Sequence, residues 1–265
     1  MNRLLKTSAC LLAAGMLITS CKKNSVTDAT TDEVSSDVLA QIKSLGFGTG
    51  NVIKEDGGYI VEGDIFLTPS DLTTSKVTSK LVIANEEQYR TTNLVTGLPR
   101  VVTVSVTGNV NATFSSAIDA MIARYNALNL RLTFQRAASG GNINIRIVNT
   151  GQYIASSGFP SGGNPYSEVK YAKKYSGSPY GLDFITTVLA HEVGHCIGFR
   201  HTDYMNRAYS CGTGGNEGDG GVGAIFIPGT NPDPDPNSWM LACLSATTNR
   251  PFNANDKTAL NYLYK

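Results

Sequence analysis

The run His191-Glu192-Val193-Gly194-His195-Cys196-Ile197-Gly198-Phe199-Arg200-His201 holds all 3 histidines of the 265-residue chain. Positions four apart share one face of a helix, so His191 and His195 project together. Two neutral imidazoles at that spacing can grip one Zn²⁺ at roughly 2.0–2.1 Å each. Glu192, next to the first ligand, is placed to take a proton from water activated by the metal rather than to bind it. Gly198 lets the helix stop, because glycine takes the left-handed conformation at no steric cost. The chain then turns back and His201 becomes a third ligand. Three protein ligands leave one position open, as a catalytic zinc requires and a structural zinc does not. The competing reading, a packed amphipathic helix, needs three histidines to fall at these offsets by accident.

The pattern HExxHxxGxxH resembles that of the metzincin zinc endopeptidases. The nearer likeness is to the HEIGH metallopeptidases of the M57 type, whose motif continues like Cys196-Ile197-Gly198-Phe199-Arg200-His201-Thr202-Asp203. It covers roughly Tyr89 to Lys265. The resemblance implies an α+β catalytic domain: a twisted, mainly parallel sheet of about five strands, a backing helix, the active-site helix, and an irregular C-terminal part ending in a helix. It also implies a methionine turn beneath the metal, matched by Met240 in Ser238-Trp239-Met240, 39 residues after His201. It further implies hydrolysis of protein or peptide substrates, with Glu192 as general base. One departure is Ala242, where astacin-type metzincins carry a tyrosine two residues after the turn methionine; either another group, with Tyr204 a candidate, does its work or zinc does it alone.

Hydrophobic periodicity supplies the elements such a domain needs. Strands are expected at Val101–Thr107, Leu130–Phe134, Asn142–Val148, Gln152–Phe159 and Glu168–Tyr175. A helix over Ser115–Leu128 has Ile118, Met121, Ile122, Tyr125 and Leu128 on one stripe. Asp183 is the expected cap of the histidine helix, which runs to about Ile197, and Asn253 with Asp256 caps a final helix. By resemblance, Ile154–Gly158 is the strand on the rim of the cleft, and its open edge takes substrate through main-chain hydrogen bonds. The glycine-rich stretch Gly212–Gly223 and the proline-rich run to Pro236 read as long irregular loops. Their acids Glu217, Asp219, Asp233 and Asp235 offer oxygens to a structural Ca²⁺, or are simply solvated. Glu217 as third zinc ligand is the rival to His201, which already stands at the expected offset.

The N-terminus reads as an address. Residues 1–21 have a short basic start with Arg3 and Lys6, then an apolar stretch too short to span a bilayer. Ile18-Thr19-Ser20-Cys21 resembles a bacterial lipobox, with Cys21 lipidated. The expectation is an exported lipoprotein held to a membrane through Cys21; a plain secretory peptide is the alternative. In an oxidising compartment Cys211–Cys243 is the favoured bridge and Cys196 a free core thiol.

Residues 22–95 read as a tether and prosegment, and 96–265 as the catalytic domain. The tether is followed by a short amphipathic helix over Asp32–Leu45. In the strand-like run Gly57–Leu67, Gly63-Asp64 forms an interruption. Val61-Glu62-Gly63-Asp64-Ile65 resembles the FxGD segment of astacin prosegments, with valine in place of phenylalanine. That likeness makes Asp64 a latency switch, its carboxylate blocking the open metal position until a cut near Arg90 or Arg100. The other reading of Gly63-Asp64 is a kink in a strand. The net charge of +1 gives no footprint for nucleic acid. A second class of function is a surface-binding or adhesion lipoprotein on an inactive zinc-protease scaffold; such a scaffold would not need Glu192.

Overall fold

The structure, a computed structural model, describes residues 33–73, 88–219, 221–231 and 235–265. The signal segment, Cys21, the tether, most of Lys80–Arg90 and Asp233 lie outside the described residues. Val34–Lys265 forms one compact unit.

The first helix, α1 (Ser36–Leu45), is capped by Ser35 and closed by Gly46 at φ 104°, and it buries Ile42 and Leu45. Three short strands follow, β1 (Ile53–Glu55), β2 (Gly58–Val61) and β3 (Ile65–Leu67), paired as an antiparallel meander. The β2–β3 turn carries Glu62 at φ 55° and Gly63 at φ 94°. Next comes α2 (Pro69–Leu72), with a capping box between Thr68 and Asp71. After residues 74–87 the chain re-enters as β4 (Tyr89–Arg90) and then β5 (Arg100–Thr107).

Helix α3 (Ala112–Asn126) buries Phe114, Ala117, Ile118, Met121 and Tyr125, a stripe set by its apolar spacing. Strands β6 (Leu132–Arg136), β7 (Ile143–Val148), β8 (Ala155–Ser157) and β9 (Glu168–Ala172) precede the histidine helix α4 (Leu182–Cys196). A short helix α5 (Ala208–Cys211), a strand β10 (Ile225–Phe226) paired with β4, and α6 (Ala254–Tyr264) complete the chain. The main core includes Val102, Val104 and Ile145 of the sheet, the α3 stripe, and Ile185, Leu189 and Val193 of α4.

The fold is α+β with a mainly parallel sheet, but the sheet has 8 strands in the order β1-β2-β3-β8-β9-β7-β5-β6. The five strands expected of the catalytic part are the run from β8 to β6. The other three come from the N-terminal segment, because β3 pairs with β8 in parallel, Ile65 against Ser157. The outer edge of β8 is therefore covered at Ser157, whose N donates to Asp64 O at 2.9 Å. Antiparallel β8–β9 is the exception in the five-stranded part.

Several local expectations shift: the fourth strand is only Ala155–Ser157, and the backing helix is Ala112–Asn126. The second strand starts at Leu132 rather than Leu130, after Asn129 takes a left-handed φ of 53°. The fifth ends at Ala172, and Lys173–Tyr175 tightens into a 3₁₀ turn. Asp183 does not cap α4; Gly181 is the cap residue, and Asp183 lies inside the first turn, where its charge favours the helix N-terminus. Asn253 and Asp256 form the expected capping box on α6.

Candidate metal centre

Helix α4 is buried over 13 of its 15 residues. Its C-terminus follows glycine chemistry closely. Phe199 N donates to Gly194 O and Gly198 N to His195 O, each at 2.9 Å, with Gly198 at φ 111°. This paired closure needs a left-handed residue, and it turns the chain so that His201 faces back to His191 and His195. Gly194 has a separate role. A Cβ there would stand 2.5 Å from Met240 Sδ, so only glycine lets the Ser238–Leu241 turn lie against the helix.

That turn is fixed from several sides. Trp239 Nε1 donates to Ala190 O at 3.2 Å, and Thr202 N donates to Met240 O at 2.9 Å. The Asp256 carboxylate of α6 accepts from Ser238 Oγ at 2.9 Å, Gln88 Nε2 at 2.8 Å and Trp239 N at 3.3 Å. Burial raises the Asp256 carboxyl to about 6, against these hydrogen bonds. Asp203 accepts from Ala242 N at 3.0 Å and from Ser210 Oγ, and Cys211 is bridged to Cys243 beside them. Cys196 is a buried free thiol.

Each histidine is anchored through Nδ1. His191 meets Trp239 O at 2.8 Å, His195 meets Phe199 O at 2.8 Å, and His201 meets Glu217 Oε1 at 2.7 Å. All three partners are acceptors, so each Nδ1 carries a proton and Nε2 is the ring atom left to bind a metal. The Nε2 atoms converge: His195 is 3.1 Å from His191 and 3.2 Å from His201. Ligands of a tetrahedral zinc bound at ~2.0–2.1 Å stand about 3.3 Å apart, so this donor set fits the ion. Burial, and after it His191 and His201, pushes His195 well below the ordinary imidazole range and keeps it neutral, the form that ligates.

Asp64 completes the cluster from the β2–β3 turn. Its Oδ2 lies 3.1 Å from His201 Nε2 and 3.4 Å from His191 Nε2, while its buried Oδ1 has no hydrogen-bond partner. Asp64, His191, His195 and His201 are, among the described residues, the one group of this kind that could hold a metal. Burial disfavours charge on His201, but the Asp64 and Glu217 carboxylates outweigh it and draw positive charge there. A proton would satisfy His201 alone. A divalent cation satisfies Asp64 and all three Nε2 atoms together.

Glu192 lines the same cavity as Asp64 and His191, a space of about 210 Å³. Ser157 Oγ lies 2.7 Å from Glu192 Oε2 and 3.0 Å from Glu192 O. Burial pushes the Glu192 carboxyl well above the ordinary carboxylate range, and the Asp64 charge pushes it further, against the Ser157 hydrogen bond.

Glu217 corrects the sequence reading. It is neither solvated nor part of a calcium cluster, but fully buried as the partner of His201. Arg200 Nη2 lies 3.4 Å from its Oε2 and Arg207 Nη1 3.1 Å from its Oε1. Burial raises the Glu217 carboxyl, and the His201, Arg200 and Arg207 charges overcome that and hold it below its ordinary value. Asp235 is taken by Asn253 and Asn255, and Asp219 by Gly221 N. Tyr204 packs against Tyr89 at 4.4 Å and over the Arg200 guanidinium, and its hydroxyl is engaged with Tyr89. Ser157, Arg200 and Arg207 carry no local sequence signal that would have placed them here.

The profile of the family described as dual-action HEIGH metallopeptidase, M57, matches residues 59–264, a span that includes the Asp64 turn as well as the histidines. No curated protein matches the chain. Two solved structures of myroilysin are similar. One is 14% identical, covers 65% of this chain and 96% of that one, and has a TM-score of 0.46. The other is 15% identical, covers 76% and 98%, and has a TM-score of 0.44.

Proposed function

This chain belongs to the M57 family of HEIGH metallopeptidases, and we propose that it is a latent, zinc-dependent endopeptidase. The observation that carries the reading is the convergence of three Nδ1-anchored imidazoles in one cavity with Glu192. His191, His195 and His201 would hold Zn²⁺ through Nε2. When bound, the ion supplies Lewis acidity, polarising a carbonyl and acidifying water.

Glu192 accepts the proton of the attacking water and returns it to the leaving amine nitrogen. The Ser157 hydrogen bond engages Glu192 Oε2 and leaves Oε1 as the atom that takes the proton. Glu217 fixes the His201 ring, as carboxylate partners of ligating histidines do. Met240 contributes an apolar floor. Peptide and protein are the substrates; Ca²⁺ has no supporting cluster among the described residues.

Latency is the finer part of the proposal. Asp64 places a carboxylate oxygen where a fourth ligand would stand, and β3 occupies the edge of β8 where a substrate strand would pair. Release needs a cut before Gln88 rather than at Arg90 or Arg100. Gln88 is bonded to Asp256, Arg90 pairs with Ile225, and Arg100 opens the central β5 ladder. Residues from Gln88 onward therefore remain with the catalytic part. Upstream, export and lipid on Cys21 account for the apolar start and the Ser20-Cys21 junction.

The test is zinc content and casein cleavage after processing, for wild type and His201→Ala. We expect stoichiometric zinc and cleavage in the first, and loss of both in the second. Zinc-loaded, processed protein that cleaves nothing would favour the inactive binding scaffold. Cys21→Ser should move the protein from the membrane fraction to the soluble one; unchanged membrane retention would refute the anchor.

A further inference from the structure

The turn that brings Asp64 to the histidines also brings a second carboxylate. Glu62 Oε2 lies 3.5 Å from Arg207 Nε, and the Glu62 carbonyl accepts a hydrogen bond from Arg207 Nη1. Both side chains are largely buried, 10% and 12% exposed, so this pair is not a screened surface contact. Glu62 also adopts φ 55°, a conformation costly for a residue with a Cβ. The turn thus keeps a glutamate at a position that asparagine or glycine would occupy with less strain, which points to the side chain as the reason.

Arg207 belongs to the catalytic part, downstream of His201, and it lines the cavity shared by His191, Glu192, Val188 and Leu244. On the endopeptidase reading, this space beside His191 and Glu192 is where a substrate side chain next to the scissile bond would enter. With the N-terminal segment in place, Arg207 stands among the Asp64, Glu217 and Glu62 carboxylates and shares Glu217 with Arg200. When the segment leaves, Glu62 leaves with it. Two guanidinium groups, those of Arg200 and Arg207, then share the one carboxylate of Glu217. Arg200 is fully buried and donates to the carbonyls of Asp219, Gly218 and Gly223, so it cannot turn toward the cavity. Arg207 is the cation that faces the vacated place.

We infer that Arg207 forms a subsite for an acidic side chain, so that the peptidase selects peptides carrying Glu or Asp beside the scissile bond, and that Glu62 occupies this subsite in the latent chain. The inference rests on the endopeptidase reading for its substrate and on the Glu62–Arg207 geometry for its chemistry.

The tethered segment allows the subsite to be tested in the full chain without turnover. Glu62→Asp, Glu62→Gln and Glu62→Lys are compared by hydrogen exchange of the Ser157 amide, which donates to Asp64 O. Glutamine can still accept from Gly48 N, as Glu62 Oε1 does at 2.6 Å, so it isolates the charge. Protection should fall in the order Glu, Asp, Gln, Lys, with roughly tenfold lost at Gln, the scale of one charge-assisted hydrogen bond. In an Arg207→Met background the ranking should collapse. Arg207→Lys should retain it in weaker form, which guards against a fold defect in the methionine variant. Equal protection across Glu, Gln and Lys would overturn the inference.

A second arm takes wild type and Arg207→Met, processed with trypsin from the folded full chain, to a peptide library. Enrichment of Glu and Asp at one position, lost in the variant, is the expected result; a profile indifferent to acids overturns the inference. If zinc-loaded enzyme cleaves no peptide at all, the endopeptidase reading fails, and the exchange ranking still decides whether Arg207 holds an acid.

Discussion

Helix α4 and the β2–β3 turn deliver polar groups to the same point by different means. The helix presents His191 and His195 from a rod buried over 13 of 15 residues, with Gly194 pressed against Met240 and its C-terminus closed by Gly198. The turn presents Asp64 from a short hairpin. Its link to β8 is a single ladder pair, Ile65 with Ser157, and it is pinned further by Glu62 on Arg207. Groups on the packed helix cannot leave without unfolding the main core, whereas the hairpin packs in clusters of its own, Val61, Ile65 and Leu67 with Ile42, Leu45 and Leu72, and Ile60 and Phe66 with Tyr153, so it can open as a unit separate from that core. The permanent half of the centre therefore sits in the main core, and the half we propose to be removable sits on a hairpin with its own apolar packing.

The comparison is sharpened most by Glu192→Ala, on the permanent side. It should leave zinc content and the fold unchanged, and lower the turnover of processed enzyme about 10²–10⁴-fold. Wild-type turnover in this variant would remove Glu192 as the base. Next is Glu217→Ala, which should weaken zinc binding roughly 10–100-fold, because it frees the His201 ring and leaves Arg200 and Arg207 without their shared carboxylate. Chelator competition reads this directly; unchanged affinity would make Glu217 a packing residue only.

On the removable side, Asp64→Ala in the full chain should raise the activity of unprocessed protein by about tenfold, the worth of one charge-assisted contact. An unprocessed variant as silent as wild type would show that β3, and not Asp64, blocks the cleft.

A separate effect, on stability rather than on activity, concerns the support beneath the histidines. Asp256 has its folded value raised to about 6 from an ordinary 3.8. A carboxyl raised in this way costs nothing while protonated, and it lowers stability as pH climbs from about 4 to about 6. The stability of wild type relative to Asp256→Asn should fall across that window, by roughly 2–3 kcal/mol at most. A difference that stays flat or rises in thermal melts would contradict the buried charge.

Much of this centre could be read along the chain. The offsets within His191–His201 specify one helix face, a glycine stop and a returning ligand, all local consequences of 3.6 residues per turn and of the left-handed freedom of Gly198. The α3 stripe, the α6 capping box, and the alternating Ile143, Ile145 and Ile147 of β7 are local in the same sense. The β2–β3 turn was legible as a break at Gly63-Asp64, and β8 as a strand, though the pairing of β3 with β8 was not.

Tertiary structure alone brought together residues with no shared period. Glu217 reaches His201 across a loop and Ser157 reaches Glu192 across 35 residues; Asp64, to which only the prosegment likeness pointed, reaches His201 across 137. Asp256 reaches back 168 residues to Gln88. It also decided that Glu217 is buried rather than solvated and that the edge of β8 is covered. Periodicity encodes which face of an element is apolar. It says nothing about which distant charge will be desolvated beside that face, because burial of a charge depends on partners that only the folded chain assembles.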